Sequence, residues 1–114
     1  MVTPSAGAIV LVPFPFSDLP QSKLRPAAVL ADAGKGDWIL SQITSSSYAD
    51  SRSIELTNNS FAQGSLRVVS YARPSKLFTA NRSLLVAQVG ILKDEVLKQI
   101  IAAVVQLLNG SLKP

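Results

Sequence analysis

The chain has 114 residues, of which 47% are hydrophobic and 16% are charged, and its formal net charge is +4. This length predicts one domain over residues 1–114, and so many apolar side chains predict that a homodimer covers some of them. The positive charge permits an anionic partner such as RNA without requiring one, while the lack of cysteine and histidine excludes disulfides, zinc sites built on those residues and histidine-based catalysis.

The first predicted element is a strand over residues 8–12, a continuous apolar run that Pro13 and Pro15 end. Residues 13–24 then predict an ordered surface loop, since prolines alternate there with polar side chains. At the end of this loop Arg25 precedes Pro26, and the proline favours an extended conformation for the arginine. One guanidinium is therefore held at a junction between a loop and a strand.

Residues 27–31 predict the second strand and residues 38–43 the third, joined by a hairpin turn at residues 32–36 that contains Gly34 and Gly36. A hydroxyl-rich patch, residues 44–48, follows the third strand. A short extended piece at residues 53–56 comes next, then a turn bounded by Asn58 and Gly64. Strands are expected over residues 65–71 and 84–89, and Arg73 before Pro74 repeats the arginine-proline arrangement. Short strands at this spacing favour a small barrel.

The clearest element is a C-terminal helix over residues 94–108, which has a broad apolar stripe at helical spacing. Asp94 and Glu95 favour its start because they lie at the positive end of the helix dipole. Its many β-branched residues are poor helix formers, so packing within the chain or against another subunit must stabilise it.

The seven acidic residues show no calcium-loop spacing, so we expect no metal and no cofactor. No apolar run approaches the length that spans a membrane, and no secretory signal pattern begins the chain. A cytoplasmic protein without a membrane partner is the expectation.

Residues 7–31 resemble the opening strand, first loop and arginine-proline strand of the MazF/PemK family of toxin ribonucleases. Ile43, Thr44 and Ser45 resemble the end of the strand that follows, and residues 65–76, 84–92 and the helix continue the likeness in order. The chain differs from the common family pattern at Ala8, where an aspartate is usual, and at Lys93, where a serine usually caps the helix.

The resemblance implies a mainly β fold with a C-terminal α-helix, a small SH3-like β-barrel. It also implies a homodimer that cleaves single-stranded RNA, such as mRNA, unless a cognate antitoxin protein is bound. By position, Arg25 and Thr44 correspond to the catalytic arginine and threonine of the family.

Cleavage without histidine or metal requires the ribose 2′-hydroxyl to attack phosphorus, which gives a 2′,3′-cyclic phosphate. Arg25 can stabilise the charge on the phosphoryl oxygens with two charge-assisted hydrogen bonds, and Thr44 can donate a third. An arginine is effectively always charged in water, so the predicted role of Arg25 is electrostatic.

Each of these residues also has an ordinary interpretation. An arginine before a proline is often only a surface ion pair, and a threonine at a strand end often caps a turn. Arg73 and Lys76 either solubilise a loop or contact the RNA backbone, and the aromatic Trp38, Tyr48 and Tyr71 either stack on bases or join the core. The remaining candidates for RNA binding are Ser17, Asp18, Gln21, Lys23 and Ser45. Those in the first loop are either solvated or shape the groove, and Lys23 is the best RNA contact among them.

Two other classes of function remain open. The barrel is shared with gyrase-poisoning toxins of the CcdB type, which use a tryptophan near the C-terminus, and residues 107–114 contain no tryptophan. An SH3-like interaction module would bind protein without cleaving RNA.

Overall fold

The computed structural model describes residues 3–13, 23–46 and 51–112. Within these residues, seven strands form one antiparallel sheet in the order β4-β6-β3-β2-β1-β7-β5, curled into a half-barrel. The strands are β1 (Ala8–Pro13), β2 (Leu24–Gly34), β3 (Asp37–Thr44), β4 (Ile54–Leu56), β5 (Phe61–Gly64), β6 (Ser70–Asn81) and β7 (Ala87–Leu92). Short 3-10 helices lie at Asn58–Ser60 and Arg82–Leu84, and helix α1 is Asp94–Asn109. The predicted mainly β fold with a C-terminal helix is confirmed.

The central strands are buried on both faces, which explains their continuous apolar sequence. On β1, Val10 and Val12 point into one hydrophobic cluster with Val29, Leu40 and residues of β6. Ile9, which precedes Val10 on β1, belongs to a second cluster on the other side of the sheet, and this cluster also receives α1. Its buried members are Ile9, Ala28, Leu30, Ile43, Leu56, Phe61, Ala72, Leu92, Val96 and Ile100.

The hairpin between β2 and β3 has the predicted turn. Lys35 and Gly36 have φ angles of 58° and 83°, the positive values that a two-residue type I′ turn requires. The backbone N–H of Gly34 donates to the Asp32 carboxylate at 2.7 Å, which stabilises the entry to the turn. Since β2 ends at this turn and β3 starts from it, Arg25 and Thr44 lie together at the opposite, open end of the hairpin.

The prediction of a strand over residues 65–71 is wrong for most of its length. Residues 65–69 form a connecting loop, and β6 starts at Ser70 and extends to Asn81. A left-handed backbone at Arg67, with φ of 68°, turns the chain there, and Val68 and Val69 are exposed. The apolar residues of this segment therefore belong to a loop: Leu66 packs against the second cluster, while Val68 and Val69 face solvent in the single chain.

Most of β6 was not predicted, because Pro74 and Lys76 interrupt its apolar pattern. The structure accommodates them in a bulge, since Ser41 of β3 pairs with Leu77 whereas Ile43 pairs with Ala72. Strand β5 was also missed. The last strand, β7, lies later than the predicted residues 84–89, and Gly90 within it allows the Phe61 ring to pack closely: a Cβ there would lie 2.8 Å from the ring.

Helix α1 buries only part of its apolar stripe. Val96 and Ile100 are buried against the sheet, while Val105 and Leu108 are 47% and 60% exposed. Lys93 stands at the N-cap and makes no side-chain capping bond, as its identity predicts. Among the described residues, no helix is long and apolar enough to cross a membrane.

Candidate active site

Arg25 and Thr44 line one pocket of about 250 Å³ at the open end of the β2–β3 hairpin. The two strands pair in antiparallel register, with Ala27 opposite Gln42 and Ala28 opposite Ser41. Arg25 lies two residues before Ala27, and Thr44 lies two residues after Gln42. Residues two apart on a strand share a face of the sheet, as opposed residues do, so both side chains lie on the face of the pocket.

The Arg25 guanidinium is available to a ligand. Arg25 lies within β2, opposite Val12 of β1, so the extended conformation that Pro26 favours is the observed one. Its side chain is exposed and makes no hydrogen bond or ion pair with any described residue. Five N–H donors are thus free to bind an anion.

The Thr44 hydroxyl is half-buried and oriented by its own backbone. The backbone N–H of Ser46 donates to Thr44 Oγ1 at 3.1 Å, which closes a tight turn after β3. This bond occupies one lone pair of the oxygen and leaves the O–H proton free. Thr44 both caps a turn, as the ordinary interpretation holds, and keeps a donor for a phosphate oxygen.

The other walls of the pocket come from distant parts of the chain. Pro26 and Ile43 neighbour the two central residues in sequence, Ser45 continues from β3, and loop 65–69 contributes Leu66 and Val68. Ser70, the first residue of β6, completes the lining and is buried. An open cleft with one cation, several hydroxyls and apolar walls suits a phosphodiester with its attached sugar and bases.

A row of paired residues extends from the pocket across the sheet. Thr44 is opposite Tyr71 on β6, and Tyr71 is opposite Glu55 on β4. Because opposed residues share a face, the Tyr71 side chain lies on the same face as Thr44, one strand away, at about 5 Å between strands. This position favours the base-stacking interpretation of Tyr71 over a place in the core.

Among the sequence-predicted site residues, the structure brings together Arg25, Thr44 and Ser45. Lys23 is exposed directly before β2 but does not line the pocket. Ser17, Asp18 and Gln21 lie outside the described residues, as does the aromatic Tyr48. Their proposed contacts with RNA stay predictions.

Arg73 and Lys76 do not line the pocket either. Both belong to the bulged part of β6, where the carbonyl oxygen of Arg73 accepts a hydrogen bond from Ser41 Oγ at 2.7 Å. Arg73 is half-buried and Lys76 is exposed. The arginine-proline repeat in the sequence therefore marks a bulge in a strand, and an RNA contact at either residue stays a prediction.

Sequence reasoning missed Leu66, Val68 and Ser70 as pocket residues. The apolar pair was assigned to a strand, and nothing in its composition separates a strand from an apolar loop. The sequence signal that indicates a loop here is Gly64 followed by the polar residues Ser65 and Arg67, since glycine and polar residues close together are typical of loops between strands.

The comparisons with known proteins agree with this architecture. The family model described as PemK-like, MazF-like toxin of type II toxin-antitoxin system matches residues 5–108. The chain belongs to this family. No curated protein sequence matches the chain.

Several solved structures share the fold of this family member. MazF in a MazE–MazF complex from Deinococcus radiodurans is 23% identical, with a TM-score of 0.76 over 97% of this chain and 100% of that chain. Mycobacterium tuberculosis toxin MazF-mt6 is 15% identical, with a TM-score of 0.69 over 90% and 96% of the two chains. An endoribonuclease in complex with its cognate antitoxin from a mycobacterial species is 12% identical, with a TM-score of 0.69 over the full length of both. At these identities the likeness establishes the fold.

Proposed function

We propose that the chain is an endoribonuclease toxin that cleaves single-stranded RNA without a metal ion. The observation that carries this proposal is the convergence of Arg25 and Thr44 on one pocket at the open end of the hairpin. Membership of a toxin family supports it, as do structural neighbours described as an endoribonuclease and as MazF toxins.

In the proposed reaction the ribose 2′-oxygen attacks the adjacent phosphorus and forms a new P–O bond. The P–O5′ bond breaks, the 2′-hydroxyl loses its proton to solvent, and the departing 5′-oxygen gains one. The products are a 2′,3′-cyclic phosphate and a 5′-hydroxyl. Negative charge increases on the non-bridging oxygens in the transition state, where it is stabilised by Arg25 as a bidentate donor and by the Thr44 hydroxyl.

The chemistry of the chain suits this route. Carboxylates, the usual ligands of Mg²⁺, form no group of three that could hold a metal ion within the described ranges 3–13, 23–46 and 51–112. Electrostatic stabilisation by preorganised donors needs no histidine, which the sequence lacks.

We also propose that the toxin works as a cytoplasmic homodimer and that a cognate antitoxin inhibits it. An exposed apolar stripe runs along α1 and just beyond its end at helical spacing, and it consists of Ile101, Val105, Leu108 and Leu112. A stripe of this kind, rich in poor helix formers, fits a helix that packs against a second copy. The neighbouring complexes with antitoxins support an inhibitory partner.

The test is cleavage of a long single-stranded RNA by the purified protein in EDTA. Wild type should generate fragments with cyclic-phosphate and 5′-hydroxyl ends, and Arg25→Ala should generate them about 10²–10³-fold more slowly while keeping the wild-type circular dichroism spectrum. Arg82→Ala is the matched control, because Arg82 is exposed and its backbone N–H binds Gly36 O at the turn end of the hairpin. Intact RNA with folded wild-type protein would exclude the proposed ribonuclease activity, and cleavage by Arg25→Ala at the wild-type rate would exclude a catalytic role for Arg25.

A further inference from the structure

Loop 65–69, which connects β5 to β6, separates the Arg25–Thr44 pocket from two other pockets. Leu66 and Val68 line the Arg25–Thr44 pocket. On another side, Arg67, Val68 and Val69 line a second pocket of about 380 Å³ together with Thr57, Asn58 and Asn59. A third pocket, of about 460 Å³, is lined by Leu11, Ser65, Leu66, Arg67 and Val89. The loop is therefore the shared wall of three neighbouring depressions.

The backbone of Arg67 is held in a conformation that side chains disfavour. Its φ of 68° lies in the left-handed region, where a residue with a Cβ is uncommon. Two hydrogen bonds hold the loop there: Arg67 N–H donates to Ser65 Oγ at 2.9 Å, and Ser65 O–H donates to Asn58 Oδ1 at 2.8 Å. The start of the Arg67 side chain is thus fixed relative to the second pocket.

The charged end of Arg67 is available for a ligand. The residue is exposed, and its guanidinium makes no hydrogen bond or ion pair with any described residue. None of the described carboxylates lines any of the three pockets, so nothing in the described surface there competes for the cation. The surroundings of Arg67 are hydroxyls, side-chain amides and apolar groups.

Val68 connects the Arg25–Thr44 pocket with the second pocket, which Arg67 lines. It lines both the Arg25–Thr44 pocket and the second pocket, and it is 61% exposed. An apolar side chain between two cations matches a single-stranded nucleic acid, in which sugars and bases alternate with phosphates. A protein segment would need carboxylates at matching positions to satisfy both guanidinium groups.

We infer that Arg67 binds the RNA backbone at a nucleotide flanking the cleaved one, and that the strand crosses Val68 from the Arg25–Thr44 pocket into the second pocket. This inference rests on the proposed function and extends it. It assigns a substrate subsite outside the cleavage pocket to a residue that takes no part in the chemistry. The substrate class is single-stranded RNA longer than the two nucleotides joined at the cleaved bond.

The experiment uses Arg67→Gln, Arg67→Lys and the control Arg82→Gln in the full chain. Glutamine removes the charge but keeps a long side chain and a Cβ, so the left-handed backbone is equally disfavoured before and after the change. The probe is a fluorescein-labelled pool of random 2′-O-methyl RNA, which cannot be cleaved by 2′-hydroxyl attack. Its dissociation constant is measured by fluorescence anisotropy at several KCl concentrations.

Loss of one phosphate contact should raise the dissociation constant several-fold and reduce the slope of log affinity against log salt by about 0.7. Arg67→Gln should show both effects, Arg67→Lys should keep the wild-type slope, and Arg82→Gln should match wild type. In a separate assay on unmodified RNA, Arg67→Gln should raise KM and leave kcat unchanged, because the contact is the same in the ground and transition states.

The inference is overturned if Arg67→Gln and Arg82→Gln have the same salt slope, or if wild type does not bind the pool. Its failure is distinguishable from failure of the proposed function. If wild-type protein cuts RNA and Arg67→Gln binds and cuts it equally well, only the proposed Arg67 subsite is disproved. If wild-type protein binds RNA through Arg67 but never cuts it, only the proposed ribonuclease activity is disproved.

Discussion

Arg25 of β2 and Thr44 of β3 line the same pocket although a complete hairpin separates them in the chain. The pairing of β2 with β3 produces this proximity, and neither side chain makes a bond to a described residue that would prevent it from binding a phosphate. The two residues therefore line one candidate site, and each of them can be changed separately.

Arg25→Lys should retain only part of the activity. Lysine keeps the charge but loses the planar pair of donors, so its kcat/KM should lie between those of wild type and Arg25→Ala. Removing the donor completely should lower kcat by about 10²–10³-fold. Cleavage kinetics on a mapped RNA site provide the measurement, and equal activity of the lysine variant and wild type would contradict bidentate binding.

Thr44→Val should lower kcat/KM by about 10–100-fold, because a hydrogen bond to a charged group contributes about 1.5–3 kcal/mol. It should also reduce the free energy of unfolding by about 1 kcal/mol, since the Ser46 N–H loses its acceptor. Thr44→Ser keeps the hydroxyl and should restore both quantities. If valine and serine variants cleave equally well, the hydroxyl has no part in the reaction.

Tyr71→Ala should weaken RNA binding by about 1–3 kcal/mol, the usual contribution of one stacked base, whereas Tyr71→Phe should bind like wild type. The reason is the position of Tyr71 opposite Thr44 on the same face of the sheet. Anisotropy with an uncleavable 2′-O-methyl RNA measures the effect. A phenylalanine variant as weak as the alanine variant would assign the role to the hydroxyl instead of the ring.

Lys93→Ser should stabilise the protein by about 1 kcal/mol. Lys93 has the extended backbone of an N-cap, with φ of −63° and ψ of 148°, but provides no acceptor for the free N–H groups of α1. Urea unfolding measures the change. Lys98→Ser, an exposed substitution inside the helix, is the control and should be neutral or slightly destabilising. A Lys93→Ser protein no more stable than wild type would mean that the serine does not cap.

Val105→Glu should convert a dimer into monomers if the exposed face of α1 is the contact between copies. Val105 is 47% exposed in the single chain, so the substitution should leave the fold of each copy intact. Light scattering should give twice the chain mass of 12.1 kDa for wild type and for the neighbouring exposed control Gln106→Glu. An unchanged mass for Val105→Glu would place the dimer contact elsewhere.

Much of the fold could be predicted from local sequence. The apolar run that became β1, the glycine-containing turn after β2 and the stripe of α1 each carry their own signal, and all three appear in the structure. The sequence of the long strand β6 was misleading, because Pro74 argues against a paired strand. The strand accommodates this proline in a bulge, and the bulge depends on the register with β3.

By itself the sequence determined the chemical repertoire of this toxin-family chain: no histidine, no cysteine, and an arginine positioned by a proline at the start of a strand. It also determined the membership of the family and the hairpin whose open end brings Arg25 and Thr44 to one pocket, since a hairpin is a local structure. Only the tertiary structure decided that Leu66, Val68 and Ser70 complete the pocket and that Arg67 lies beside it. Those residues reach the site through the curl of the sheet and a left-handed loop, and such contacts between distant segments leave no periodic pattern in a single sequence.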